Sequence, residues 1–189
     1  MALWGVTTSD ESKPKYLTAE QQKNCYATEA GWVYKNEKGL EEVLVAVRQL
    51  AGTSTSTGLG AADINSLEFV TTSFSEAAGG DISVKVIYNE KVTVDTTGGT
   101  PTITLTNDQA GSGTDATVAL SYASGSGTNQ LTFTATYGAA DGGVADGDEL
   151  SVADQNIALN SGTMKDTASS TIDAKVALAS VTATLTAEA

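Results

Sequence analysis

Asp81-Ile82-Ser83-Val84-Lys85-Val86-Ile87-Tyr88 is the stretch whose reading decides the fold. Ile82, Val84, Val86 and Tyr88 fall at every second position and share one face, while Ser83 and Lys85 point the other way. A period of two marks a strand with one buried face. Val92 and Val94 continue that strand or start another. Thr102-Ile103-Thr104-Leu105-Thr106 repeats the alternation, and residues 66–74, 116–122, 130–137, 149–153 and 174–185 supply further β-rich runs between Gly-rich or Asp-rich turns. Seven or eight short strands at this spacing predict an all-β sandwich over residues 61–189. A parallel α/β fold needs long helical patterns between strands, and the sequence has none.

Toward the N-terminus, residues 51–62 form a Gly/Ser/Thr stretch that reads as a linker, dividing the chain into residues 1–60 and 61–189. Before it, Gly31-Trp32-Val33-Tyr34-Lys35-Asn36, a turn at Glu37-Lys38-Gly39, and residues 41–48 predict a β-hairpin. Val43, Val45 and Val47 lie on one face of its second strand and Leu44, Ala46 and Arg48 on the other, a largely apolar pattern expected of a strand covered on both sides. Residues 1–24 read as an extended arm with two aromatic anchors, Trp4 and Tyr16. Within the arm, Thr18 is placed to cap one short helical turn, with Gln21 at the third helical position.

Charge separates the two parts. Of the 10 basic and 23 acidic residues, six basic and seven acidic fall in residues 1–60, leaving −1; four basic and sixteen acidic fall in residues 61–189, leaving −12. A body this acidic repels phosphate backbones and anionic lipid, so nucleic acid and membrane surfaces are not expected partners. No apolar run is long enough to span a bilayer, and the opening residues lack a basic-then-apolar export pattern, so synthesis in a cytoplasm is expected.

Histidine is absent and Cys25 is the single cysteine, which removes the usual general base, the Cys/His nucleophile pair and any Cys/His zinc site. Cys25 reads as a small buried hydrophobe. The Gly clusters read as hairpin turns, since none leads into a helix as a phosphate loop does. No enzymatic activity is expected. One constellation offers oxygens to a cation: Asp141-Gly142-Gly143-Val144-Ala145-Asp146-Gly147-Asp148-Glu149. It reads as a solvated acidic loop, with calcium held by Asp141, Asp146 and Asp148 as the alternative; no other cofactor is implied.

Two resemblances follow from particular motifs. Gly125-Ser126-Gly127-Thr128-Asn129, the Leu131-Thr132-Phe133 strand and Leu159-Asn160-Ser161-Gly162-Thr163-Met164-Lys165-Asp166 resemble the Ig-like repeats of large bacterial surface adhesins, over about residues 64–189. The run departs from that pattern after Asp166, where Thr167-Ala168-Ser169 replaces Ala-Gly-Asn. Met1-Ala2-Leu3-Trp4-Gly5, Pro14-Lys15-Tyr16-Leu17, Asn24-Cys25-Tyr26-Ala27, Gly31-Trp32-Val33-Tyr34 and Glu42-Val43-Leu44-Val45 resemble the start of small virion structural proteins of tailed marine phages, chiefly cyanophages.

Together the resemblances imply a capsid decoration or cement protein on the virion surface. An N-terminal arm plus β-hairpin would bind the head lattice, and an Ig-like β-sandwich would project outward. The implied partners are the major capsid protein or other virion proteins, further copies of the chain on the lattice, and weakly bound host-surface glycans. Trp4, Tyr16, Trp32 and Tyr34 are the aromatic residues expected to contact the partner. A tail, neck or baseplate component, or a bacterial-type surface adhesion module, are the alternatives.

Overall fold

A computed structural model describes residues 13–51, 58–75, 78–108, 116–137, 147–167, 173–178 and 183–188. The chain is all-β apart from one short helix, α1 (Ala19–Lys23). The strands are β1 (Cys25–Thr28), β2 (Gly31–Lys35), β3 (Glu41–Ala46), β4 (Ile64–Phe69), β5 (Phe74–Ser75), β6 (Gly80–Asp95), β7 (Thr102–Asp108), β8 (Ala116–Ser124), β9 (Thr128–Tyr137), β10 (Glu149–Val152), β11 (Thr163–Asp166) and β12 (Ala183–Glu188). They form one large mixed sheet in the order β3-β2-β1-β6-β9-β8-β7-β10-β12-β5, with β4 and β11 also paired to β6. Pairing is antiparallel except between β1 and β6 and between β5 and β12. Among the described residues, no helix is long and apolar enough to cross a membrane.

The alternation at residues 81–88 does organise the molecule. The inward face of β6 carries Ile82, Val84, Val86, Tyr88 and Val92, all fully buried. They meet Leu67 of β4, Ile103 and Leu105 of β7, Leu120 of β8, Leu131 and Phe133 of β9, Leu150 and Val152 of β10 and Met164 of β11 in one core. Strands far apart along the hydrogen-bonding path therefore share a single interior, so the sheet curls around it, and β12 comes alongside β4. Val92 and Val94 belong to the same strand as Ile82: β6 runs for 16 residues and pairs with β4, β9 and β11 in turn. The stretch from 66 to 74 is two strands, β4 and β5.

A second, smaller core lies in residues 13–62, where Cys25, Ala27, Trp32, Val47, Leu50 and Ala51 pack with Leu17, Leu44, Val45 and Leu59. Burial pushes the Cys25 thiol pKa up, as expected of a structural rather than reactive cysteine. Helix α1 is capped as its sequence dictates. The Gln21 amide donates to the Thr18 hydroxyl at 3.2 Å, and the Thr18 amide donates to Gln21 Oε1 at 3.0 Å.

This N-terminal unit is joined to the larger sheet. Ala27 of β1 aligns with Glu90 of β6. The side-chain amides of Asn129 and Gln130 each donate to the Lys23 carbonyl at 3.0 Å, and Lys23 also pairs with Glu68. The end of the predicted arm, at Lys23 and Asn24, thus lies against the body. The ends of the Gly/Ser/Thr stretch are tied down too: Ala51 and Ala62 are buried and the Leu59 amide donates to the Leu50 carbonyl at 2.9 Å.

Candidate docking surface

The hairpin read from the sequence is present as β2 and β3, with Trp32 opposite Val45 and Tyr34 opposite Glu42. Asn36 shapes its turn by accepting from the amides of Lys38 and Leu40, each at 3.0 Å, and Gly39 takes φ +80°. Gly31 opens β2 at φ +128°, where a Cβ would stand 2.0 Å from the Val45 carbonyl oxygen and 2.5 Å from the Val47 amide nitrogen. Only glycine fits this close approach, and it allows the bulge between Trp32 and Val33.

The expectation that residues 41–48 form a strand covered on both sides is corrected. β3 ends the strand order and, among the described residues, has β2 as its only strand neighbour. Glu41, Glu42, Val43 and Ala46 are exposed. The two-sided cover belongs to β1 and β2, where Cys25, Ala27 and Trp32 are buried on one face and Tyr26 and Val33 on the other. A run of valines cannot distinguish an inner strand from an apolar edge, because both satisfy the same pattern. An edge strand offers unpaired N–H and C=O groups to another chain, and natural proteins usually blunt such edges.

Large exposed apolar side chains concentrate on this part of the chain. Leu40 is 65% exposed, Val43 49% and Tyr16 71%; Val70 is the fourth residue of this kind among the described residues and lies outside the segment. Beside the edge, Tyr26 donates its hydroxyl to Glu41 at 2.6 Å, and Lys91 reaches the same carboxylate at 3.0 Å while lying over the Tyr26 ring. These donors hold the Glu41 carboxyl below its ordinary range, and burial raises the Tyr26 phenol pKa. The first residue of β3 is thereby tied to β6 through Lys91.

The four aromatic residues expected to contact a partner are placed differently. Trp32 is 2% exposed and fills the small core, with the Lys13 ammonium 5.7 Å from its ring centroid; it is a packing residue and not an exposed anchor. Tyr34 is half-buried on the same face, opposite Cys25. Tyr16 is exposed, and Trp4 lies outside the described residues. Leu40 and Val43, which the aromatic-centred reading passed over, carry the exposed apolar surface; the signal for them was the apolar run beside a predicted turn.

Of the calcium residues, Asp141 and Asp146 lie outside the described residues. Asp148 is buried and accepts from the Asn107 side-chain amide at 3.0 Å, which ties the start of β10 to β7. Among the described residues, no three His, Cys, Asp or Glu side chains cluster as a metal cage. No protein-family model, curated protein or solved structure matches this chain.

Proposed function

We propose that this chain is a virion structural protein of a tailed phage: a capsid decoration protein that docks on the head lattice through its N-terminal unit. An Ig-like domain, the remainder of the chain, projects outward. The observation that carries the reading is the edge strand β3, flanked by exposed Leu40 and Val43, in a segment of charge −1 joined to a body of charge −12. Adding β3 to a sheet of the major capsid protein would satisfy its free backbone groups, and seating Leu40 and Val43 would supply apolar burial. Repulsion disfavours an approach by the acidic body and leaves it facing solvent. The motif resemblances of residues 1–60 and 64–189 support the same division of labour.

Co-sedimentation of the purified chain with isolated phage heads tests this reading. The chain is expected to pellet with the heads to saturation and to remain in the supernatant with isolated tails. Because Lys23 is hydrogen-bonded to Asn129 and Gln130, an anchor test should remove residues 1–12 alone; truncation through residue 24 would strip Lys23 from the body.

A further inference from the structure

Lys35 and Lys85 each stand opposite a glutamate that other side chains already engage. Lys35 aligns with Glu41 across β2 and β3, but the Glu41 carboxylate is held by Lys91 and Tyr26. Lys85 aligns with Glu68 across β6 and β4, but the Glu68 carboxylate is held by Lys23. Neither ammonium enters an ion pair among the described residues. The other basic residues of the body, Lys91, Lys165 and Lys175, are all paired. Lys35 and Lys85 line one cleft of about 400 Å³ between the N-terminal unit and the body. The hairpin turn forms one wall, with Asn36 and Glu37, and the turn between β8 and β9 forms the other. That second wall is held in place: the Thr128 hydroxyl donates to the Gly125 carbonyl at 2.7 Å. Gly125 itself, at φ +110°, leaves a Cβ no room, since it would stand 2.1 Å from the Gln130 carbonyl oxygen. The Gln130 side-chain amide donates to Asn24 Oδ1 at 2.9 Å and ties the walls together. The cleft is therefore preformed, which lowers the cost of binding.

We infer that this cleft binds an anionic saccharide, a sugar carrying a carboxylate or sulfate group, with Lys35 and Lys85 meeting its charge. Three lysines and two glutamates line it, a local charge of +1 in a chain of −13. An anion is therefore favoured here over the acidic surface elsewhere. The volume falls in the range of small-molecule sites. Such sites are usually mostly apolar, whereas Asn24, Asn36, Ser124, Thr128, Gln130 and Thr132 bring amides and hydroxyls to this one. That lining suits a ligand rich in hydroxyls, each able to donate and accept, and gives an apolar ligand little to bury against. Tyr26, the one aromatic residue among its described lining, is buried, so the sugar ring has no aromatic face to stack on. Recognition rests on hydrogen bonds and solvent-screened charge, for a dissociation constant on the order of 1 mM. Leu40 and Val43 do not line the cleft, so the inference does not depend on what the edge strand docks on.

The test is a titration of the nitrogen-15-labelled full chain with glucuronate, glucose 6-sulfate, glucose and sodium sulfate at matched ionic strength, read from amide chemical shifts. At least one acidic sugar should shift the amides of residues 35–39 and 125–132 saturably at about 1 mM. Whichever of the two binds more tightly identifies the acidic group. Glucose and sodium sulfate should each bind at least about tenfold more weakly, since each lacks half of the recognition. Lys35→Gln and Lys85→Gln should each weaken binding about three- to tenfold with an unchanged melting midpoint. Lys165→Gln, away from the cleft, should bind as the wild type does. If one cleft variant fails to fold, the other decides. No saturable shift with either acidic sugar would overturn the inference. So would sodium sulfate binding as tightly as the sugars, which would mean an adventitious ion only, or glucose doing so. Full binding in both Lys35→Gln and Lys85→Gln would place the ligand elsewhere and overturn it as well.

Discussion

Phe133→Ala is expected to cost about 3–5 kcal/mol and to lower the melting midpoint by about 6–20 °C, the largest stability loss foreseen for a single truncation in this chain. Phe133 is fully buried at the centre of β9, aligned with Val84 of β6 on one side and Tyr122 of β8 on the other. Its ring packs edge-on to Tyr122 at 5.8 Å between centroids, a contact that adds to simple burial. Strands on both sides hold the backbone in place, so the cavity left by alanine cannot collapse. A domain of ordinary stability has only about 5–15 kcal/mol in total, so the variant should populate unfolded chain measurably at physiological temperature. Chemical denaturation monitored by tryptophan fluorescence reads the change directly. A loss below about 1 kcal/mol would mean that Phe133 is not central to the core.

Replacing both Leu40 and Val43 by aspartate is expected to weaken attachment to heads by about 100-fold or more while moving the melting midpoint by only a degree or two. Exposed apolar residues contribute little to folding, but seated in a partner they become the residues whose loss costs most. Two added carboxylates also make the N-terminal unit repel the acidic bodies of neighbouring copies. Head co-sedimentation and thermal melting of the same preparation separate the two effects. A large fall in melting temperature would assign Leu40 and Val43 to the fold. Unchanged attachment would remove β3 from the docking surface.

Much of this arrangement is legible in the sequence where local chemistry alone decides it. Thr18 and Gln21 specify the cap of α1, Asn36 and Gly39 specify the hairpin turn, and the alternation from Ile82 to Tyr88 specifies the inward face of β6. What long-range packing decides is not legible. Cys25–Thr28 is too short to announce itself as a strand and becomes one because Gly31–Lys35 and Glu90 flank it. Thr163–Asp166 carries a single large apolar residue, Met164, and is a strand because it lies along the far half of β6. Trp32 reads as an anchor in isolation and is a core residue once Leu50, Ala51 and Leu59 close over it.

Glu90 shows the same limit among the buried residues. Asn89-Glu90-Lys91 looks like a polar interruption between two apolar runs, which suggests a turn. Extending the even-numbered face from Ile82 through Val92 without a break instead places Glu90 among the buried residues. The alternation was the available signal, and the charge concealed it. The acidic loop at 141–149 drew attention by composition, whereas Glu90 and Asp166 lie 76 positions apart and are brought near each other only by the pairing of β6 with β11.

The central claim is a location, and a count of this chain in purified particles after heads are separated from tails tests it most directly. A decoration protein occupies equivalent lattice positions, so the chain should stay with the heads at on the order of hundreds of copies per particle. Its absence from particles, or its recovery with tails or necks at about six or twelve copies, the numbers of a symmetric ring, would contradict the account.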